Sequence, residues 1–429
     1  MNYTQNDRIA QVTETTLVVG IDVGSEFHYA RAFDWRGHEY SKKAFKFSNT
    51  QGGFTEFMAW MHHIKETRGK ETILPGMEPT GHYWFNLGKY LMDNEINPVL
   101  VDPHHVKKSK ELDDKSPDKN DRKDPKTIAG LINAGRYSYP YLPEGIYADL
   151  RTASNLRFQL TSELTRAANR IQRWFSIYFP EYMDAYGKFD AKSSILLLKQ
   201  AALPEDIIAL GAENINQMWR DEKLRAVGMK RAKTLTEAAE RSIGSREGST
   251  AARMEIMILL EDYESKQARL EQVMDMIEGL RGQIPMAEKL LEIKGVGIKT
   301  VSGFLAEAGD ISRFDNPKQL RKLAGLALAE NSSGKHKGET KISKRGRKRL
   351  RYLLFEVSLS LVATNPEFKK LHHYYTTRDE NPLKKIQSLM AIACKLIRVF
   401  FAILTKGVGY DAVKMLSDIK YPIRPALAA

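Results

Sequence analysis

A chain of 429 residues is too long for one ordinary core and suits two or three domains, while 42% hydrophobic and 28% charged residues exclude a disordered or membrane-embedded polypeptide. Lys and Arg number 66 against 53 Asp and Glu, a net charge of +13 that favours polyanionic partners, because cationic groups release condensed counterions from a phosphate backbone. The one cysteine, Cys394, excludes an intrachain disulfide and a cysteine-built zinc site, and fits a reducing cytoplasm.

The segment from Met1 to Thr16 is polar and lacks the apolar core of a signal peptide. Leu17 to Gly24 is a short apolar run of strand type. A second strand is predicted over His28 to Trp35, with Arg36-Gly37-His38 turning into a third over Tyr40 to Phe47. A helix from Gly53 to about Glu66 aligns Phe54, Phe57, Met58, Met61 and Ile64 on one face. A strand over Thr72 to Glu78, a helix over His82 to Met92 and a strand over Asn97 to Asp102 follow. This order predicts a mixed α/β sheet covered by helices and ending near Arg136.

From Tyr147 the texture becomes helical. Long helices are predicted over Tyr147 to Tyr178 and Ala251 to Gly282. The second carries Met254, Met257, Leu260, Tyr263, Leu270, Val273 and Ile277 near heptad spacing, which suits packing within one chain or between chains. Turn signals stand between them at Gly211, Gly228 and Gly244 to Gly248. A third region begins near Pro285, with helix, Gly-Val-Gly turn and helix over Leu290 to Gly309, then a basic loop and helices to about Lys406. Lys395 and Arg398 interrupt the apolar stretch Ile386 to Leu404, predicting a buried amphipathic helix and no membrane span.

Three segments offer carboxylates. Asp22 lies in the first apolar strand, where a charge is costly unless it meets a cation or a donor. Glu78 ends another strand, and sites in parallel sheets gather at the carboxyl ends of strands. Asp118, Asp121 and Asp124 precede a helix whose first turn takes Pro125. Magnesium prefers such hard oxygen ligands, and two ions can clamp the oxygens of a phosphoryl transfer. Asp22-Val-Gly-Ser25 also occurs in phosphate-binding hairpins of ATP-using folds, but no Walker-type loop accompanies it here.

Asn331 to Arg351 holds Lys335, Lys337, Lys341, Lys344, Arg345, Arg347, Lys348, Arg349 and Arg351 against Glu339 alone, with three glycines, and suits a flexible grip on a phosphate backbone. Ser332 and Ser333 open this loop. A serine needs a base, cation or metal to become a nucleophile, and neighbouring cations can stabilise charge on a transferring phosphoryl group. Leu291 to Thr300 matches a helix-hairpin-helix element, in which Gly295 and Gly297 permit a turn facing a DNA phosphate while Lys294 and Lys299 add charge.

Taken together, Gly20-Ile-Asp-Val-Gly24, Gly76-Met-Glu-Pro-Thr-Gly81, Asn120 to Ala129, Ile293 to Ile298, Ala324-Gly-Leu326, Ser333-Gly334 and Ile342 to Gly346 resemble the RNA-guided insertion-sequence transposases of the one-ten family, also called bridge-RNA recombinases. The resemblance runs from about Val18 to Leu404. It implies an RNase-H-like (RuvC-like) domain over 1–145, a helical coiled-coil region over 146–284 used in assembly, and a helical DNA-binding domain over 285–429 with its helix-hairpin-helix. It further implies an acidic tetrad of Asp22, Glu78, Asp121 and Asp124 binding Mg²⁺, and Ser333 as nucleophile. The implied partners are an element-encoded non-coding guide RNA, donor and target double-stranded DNA, and further copies forming a homodimer and then a homotetramer, in the cytoplasm at the nucleoid. Pro125 stands where the family usually has alanine, the pair Asp118 and Asp121 leaves the tetrad register open, and Ala327-Leu-Ala replaces a proline-containing stretch. Ser332 beside Ser333 leaves the nucleophile open by one residue. A hydrolytic junction resolvase and a non-catalytic RNA- or DNA-binding protein are the alternative readings.

Overall fold

The computed structural model describes residues 4–41, 43–79, 81–113, 124–329, 332–333, 336–337, 340–417 and 419, with backbone alone at 110–113, 332–333 and 336–337. The chain divides into two compact units, one ending at Leu142 and the other starting at Pro143.

The first unit runs α1 (Gln5–Ala10), β1 (Thr16–Asp22), β2 (Phe27–Phe33), β3 (Phe45–Ser48), α2 (Gln51–Thr67), β4 (Thr72–Met77), α3 (Trp84–Asp93), β5 (Val99–Val101), α4 (Pro103–Asp113), α5 (Asp124–Asn133) and β6 (Tyr137–Ser138). Its six-stranded sheet has the order β3-β2-β1-β4-β5-β6. The strands β1, β2 and β3 pair antiparallel, β4 and β5 run parallel to β1, and β6 is antiparallel to β5. Period-two alternation divides β1 between two cores. Leu17, Val19 and Ile21 face Phe54, Phe57 and Met61 of α2 and Leu87 and Leu91 of α3. Val18 faces the opposite layer, with Val106 of α4 and Ile128, Ala129 and Ile132 of α5. The mixed sheet is as predicted, while α1, α4 and β6 are additions. The polar segment before β1 supplies α1, closed by a capping box between Thr4 and Asp7.

The second unit is mainly helical. It runs α6 (Gly145–Tyr178), α7 (Tyr182–Tyr186), α8 (Lys192–Gln200), α9 (Pro204–Asp221), α10 (Met229–Glu240), α11 (Ser249–Gly282), α12 (Ile298–Ala308) and α13 (Pro317–Leu323). Four two-residue strands follow, β7 (Leu328–Ala329), β8 (Ser332–Ser333), β9 (His336–Lys337) and β10 (Lys341–Ile342), and then α14 (Lys348–Thr364), α15 (Pro366–Thr377) and α16 (Lys385–Lys406). The long helices α6 and α11 pack together within the chain and join two cores. At one end Leu150, Ala153 and Ile277 enter the core of α12 to α16. At the other, Ile171, Trp174, Ile256 and Leu260 are capped by α7 to α10 around Tyr182 and Trp219. The helix α16 is long and apolar enough to cross a bilayer by composition alone. Its residues Leu389, Ile392, Leu396, Phe400 and Ile403 are buried in the core of this unit, the amphipathic seating that the interrupting charges predict.

Two expectations are corrected. Only a 3-10 turn, Glu288–Leu290, stands where the first helix of the helix-hairpin-helix is predicted. Pro285 and Met286, the latter at φ 62, interrupt the chain after α11, and Gly295 comes too soon for a full helix to form. The basic segment is likewise not an open loop. β7 pairs with β10 and β8 with β9, and its last residues form the first turn of α14.

Candidate active site and nucleic-acid interface

The carboxylates are placed by the sheet. Asp22 is the last residue of β1 and Glu78 follows directly on β4. Since Ile21 pairs with Met77 in the parallel register, Asp22 and Glu78 leave adjacent strands at the same level, at their carboxyl edge. Val18, Gly20 and Asp22 share one parity on β1, as Leu74, Gly76 and Glu78 do on β4. Val18 and Leu74 pack with α5, so this parity marks the α5 face of the sheet. A Cβ built on Gly20 would lie 1.8 Å from the Pro125 carbonyl oxygen, and one on Gly76 2.4 Å from Ile132 Cδ1. Both glycines thus let α5 lie directly on the sheet, with Asp124 in its first turn beside the end of β1. Asp124 is only 8% exposed, a buried carboxylate at a helix N-terminus, where negative charge is favoured.

Asp22, Glu78 and Asp124 are each engaged in polar or electrostatic interactions. Among the described residues, no three His, Cys, Asp or Glu side chains stand close enough to hold one ion. Asp118 and Asp121 lie outside the described residues. The residue types nevertheless suit a hard cation, since Asp22, Glu78 and Asp124 are carboxylates carried by three elements that meet at one sheet edge.

His28 went unnoticed in the sequence. It is fully buried on β2, its Nδ1 accepts the Gly24 N–H at 3.2 Å, and its ring packs against Phe47 and Phe54. It thereby fixes the turn leaving Asp22. Burial pushes its pKa below the ordinary 6.5, with Asn49 opposing, so the folded state holds it neutral. The unfolded chain takes up the proton near pH 6.5, so stability should fall as pH drops below that value. Melting curves between pH 7.5 and about pH 5 should show this loss, smaller in His28→Gln. An unchanged pH dependence in the variant would remove His28 as its source.

In the second unit the chain enters and leaves the basic hairpin at Gly325 and Gly346. A Cβ on Gly346 would meet the Gly325 nitrogen and the Leu323 oxygen, each at 2.5 Å. The Lys344 and Arg347 amides donate to the Gly325 and Leu323 carbonyls at 3.0 and 2.7 Å. Further out, Ser332 pairs with Lys337 and Ser333 with His336. Ser333 is therefore the last residue of β8, and His336, also unnoticed in the sequence, is its partner in the register. Of the expected nucleic-acid contacts, Lys344, Arg345 and Lys348 are exposed. Arg347 instead donates to the Glu307 carbonyl, and Arg349 to Asn155 Oδ1 while stacking 4.6 Å over Phe158. Burial raises the Glu307 pKa against the pull of Arg151 and Arg349. Lys335 lies outside the described residues. At the Gly-Val-Gly turn, Gly295 takes φ 97 and Asn365 Nδ2 donates to the Lys294 carbonyl at 3.1 Å. Gly297 is the N-cap of α12 with no side-chain cap, and Lys294 and Lys299 flank it exposed.

Comparison with known proteins matches both regions. A family model described as "Transposase" covers residues 19–180, and one described as "Transposase IS116/IS110/IS902 family" covers 287–373, together more than half of the chain. The chain belongs to the IS116/IS110/IS902 family of transposases. It is similar to the insertion element IS116 uncharacterized 44.8 kDa protein of Streptomyces clavuligerus, at 24% identity over 90% of this chain and 94% of that protein. It is also similar to the insertion element IS900 uncharacterized 42 kDa protein of Mycobacterium paratuberculosis, at 24% identity over 67% of this chain and 72% of that one. The pilin gene-inverting protein of Moraxella bovis is 31% identical over 29% of this chain and 38% of its own length. As a transposase of this family the chain is a DNA recombination enzyme.

Proposed function

We propose that this transposase cuts and rejoins DNA through a phosphoserine intermediate, guided by a structured non-coding RNA, in the bacterial cytoplasm at the nucleoid. The observation carrying the catalytic part is that Asp22 and Glu78 end adjacent parallel strands at the same level, with Asp124 opening the helix packed on that face of the sheet. The 3-2-1-4-5 core of the strand order supports an RNase-H-like domain, about 1–145. The middle helices, about 146–284, serve assembly into dimers and tetramers, and 285–429 carries the serine. Asp22, Glu78, Asp121 and Asp124 would hold Mg²⁺, which when bound supplies positive charge to the phosphate. Ser333 Oγ attacks phosphorus, its proton passes to solvent, and the bond to O3′ breaks. The freed oxygen takes a proton from water, leaving a 3′-hydroxyl and a phosphoserine. A second 3′-hydroxyl reverses the step, and because each exchange conserves one phosphate ester, no ATP is needed. Lys344, Arg345 and Lys348 hold the backbone near the hairpin, and Lys294, Gly297 and Lys299 hold it at the second site.

The test is excision and junction formation in cells carrying the gene with its flanking non-coding DNA. Deleting the flanking transcript, with protein supplied at the same level, should abolish junctions, and restoring it from a second plasmid should recover them. Junctions formed without any such transcript would overturn RNA guidance and leave the recombinase.

A further inference from the structure

We infer that the end of α9, the following turn and the start of α10 form a separate nucleic-acid contact that grips a phosphodiester backbone without reading sequence. It rests on the recombinase reading, and it lies within residues 181–286, covered by neither family model. Arg220, Lys223, Arg225, Lys230, Arg231 and Lys233 are all exposed at this end of the α9–α10 pair. Within residues 220–233 the acidic residues are Asp221 and Glu222, and Asp221 already accepts from Gln217 Nε2 at 2.7 Å.

What sets this end apart is the number of cations gathered on one turn and the helix ends beside it. Three other cations of the cap and its neighbouring helix do meet carboxylates: Arg253 with Glu205 and Asp206, Lys199 with Glu264, and Lys266 with Asp262. Among the described residues, Arg220, Lys223, Arg225, Lys230 and Lys233 form no ion pair, and Arg231 rests 5.1 Å over the Tyr186 ring. Nor does helix stability account for them. Lys230 and Arg231 occupy the first turn of α10, with Lys233 just beyond it; the helix dipole disfavours positive charge there, and no acidic residue of that turn and no side-chain cap offsets it. An anionic partner would relieve that conflict. The platform is firm: Trp219, Ala232, Leu235 and Ala238 are buried beneath, and Trp219 Nε1 donates to the Ser193 carbonyl at 2.9 Å. Cations held on a packed corner suit the phosphates common to RNA and DNA.

The experiment measures binding of the full chain to a short RNA duplex and a short DNA duplex of unrelated sequence, across a salt series. In the combined variant Lys223→Ala, Arg225→Ala, Lys230→Ala and Lys233→Ala, the slope of log affinity against log salt should become shallower by roughly 3.6, at about 0.9 for each of the four lost phosphate contacts. Lys223→Arg, Lys230→Arg and Lys233→Arg together should keep the wild-type slope, separating charge from folding. A change with RNA alone names the RNA as occupant, and one with DNA alone names the DNA. Equal slopes for wild type and the alanine variant on both duplexes would overturn the corner as a contact. Wild-type protein that binds neither duplex would instead bring down the recombinase reading, and this inference with it.

Discussion

Ser333→Ala should lose both junction formation and the covalent protein–DNA adduct, by more than about a thousandfold, whereas Ser332→Ala should keep both. The hairpin register makes the two serines inequivalent. Ser333 pairs with His336 and Ser332 with Lys337, and successive strand residues belong to opposite faces. Adduct is read by denaturing electrophoresis after a short incubation with labelled DNA. Activity in Ser333→Ala with loss in Ser332→Ala would move the nucleophile by one residue. DNA cut without adduct in both variants would leave the carboxylates acting with water, as in a hydrolytic junction resolvase.

Much of the first unit is legible in the sequence because strands and glycines carry local signals. The apolar run ending at Asp22 and the strand before Glu78 fix two carboxylates, and their level follows once β1 and β4 lie parallel. That α5 lies directly on β1 is not legible, because it depends on the fit of Gly20 against Pro125, residues far apart in sequence. His28 escapes for a similar reason. Its hydrogen bond to Gly24 is local, but its burial depends on Phe47 and Phe54. In the second unit, hydrophobic periodicity gives α6 and α11 almost to the residue. It fails at the helix-hairpin-helix, where Pro285 and Gly295 leave room for a single 3-10 turn. It fails again at the basic hairpin, whose two-residue ladders are too short and too charged to signal strands. Opposition of His336 to Ser333 is a consequence of that register and has no periodic signature.

Gly20→Ala should unfold or disable the first unit although it adds one methyl group. The new Cβ would sit 1.8 Å from the Pro125 carbonyl oxygen, 2.8 Å from its carbon and 3.1 Å from the Ala129 nitrogen. All three are backbone atoms, so no side chain can turn aside and α5 itself must move. Overpacking of this kind costs roughly 3 kcal/mol, enough to shift a urea midpoint measurably. Gly52→Ala is the matched control, since nothing lies within 4 Å of its added carbon and it sits in α2, where alanine is favoured. Two outcomes are consistent with the seating of α5. Either the variant loses stability outright, or it stays folded with α5 displaced and loses DNA cleavage, because Asp124 moves away from the edge shared by Asp22 and Glu78. A Gly20→Ala protein as stable and as active as Gly52→Ala would mean that α5 does not rest on β1. Asp124 would then have no fixed place beside the other two carboxylates, and the metal site would have to be built without it.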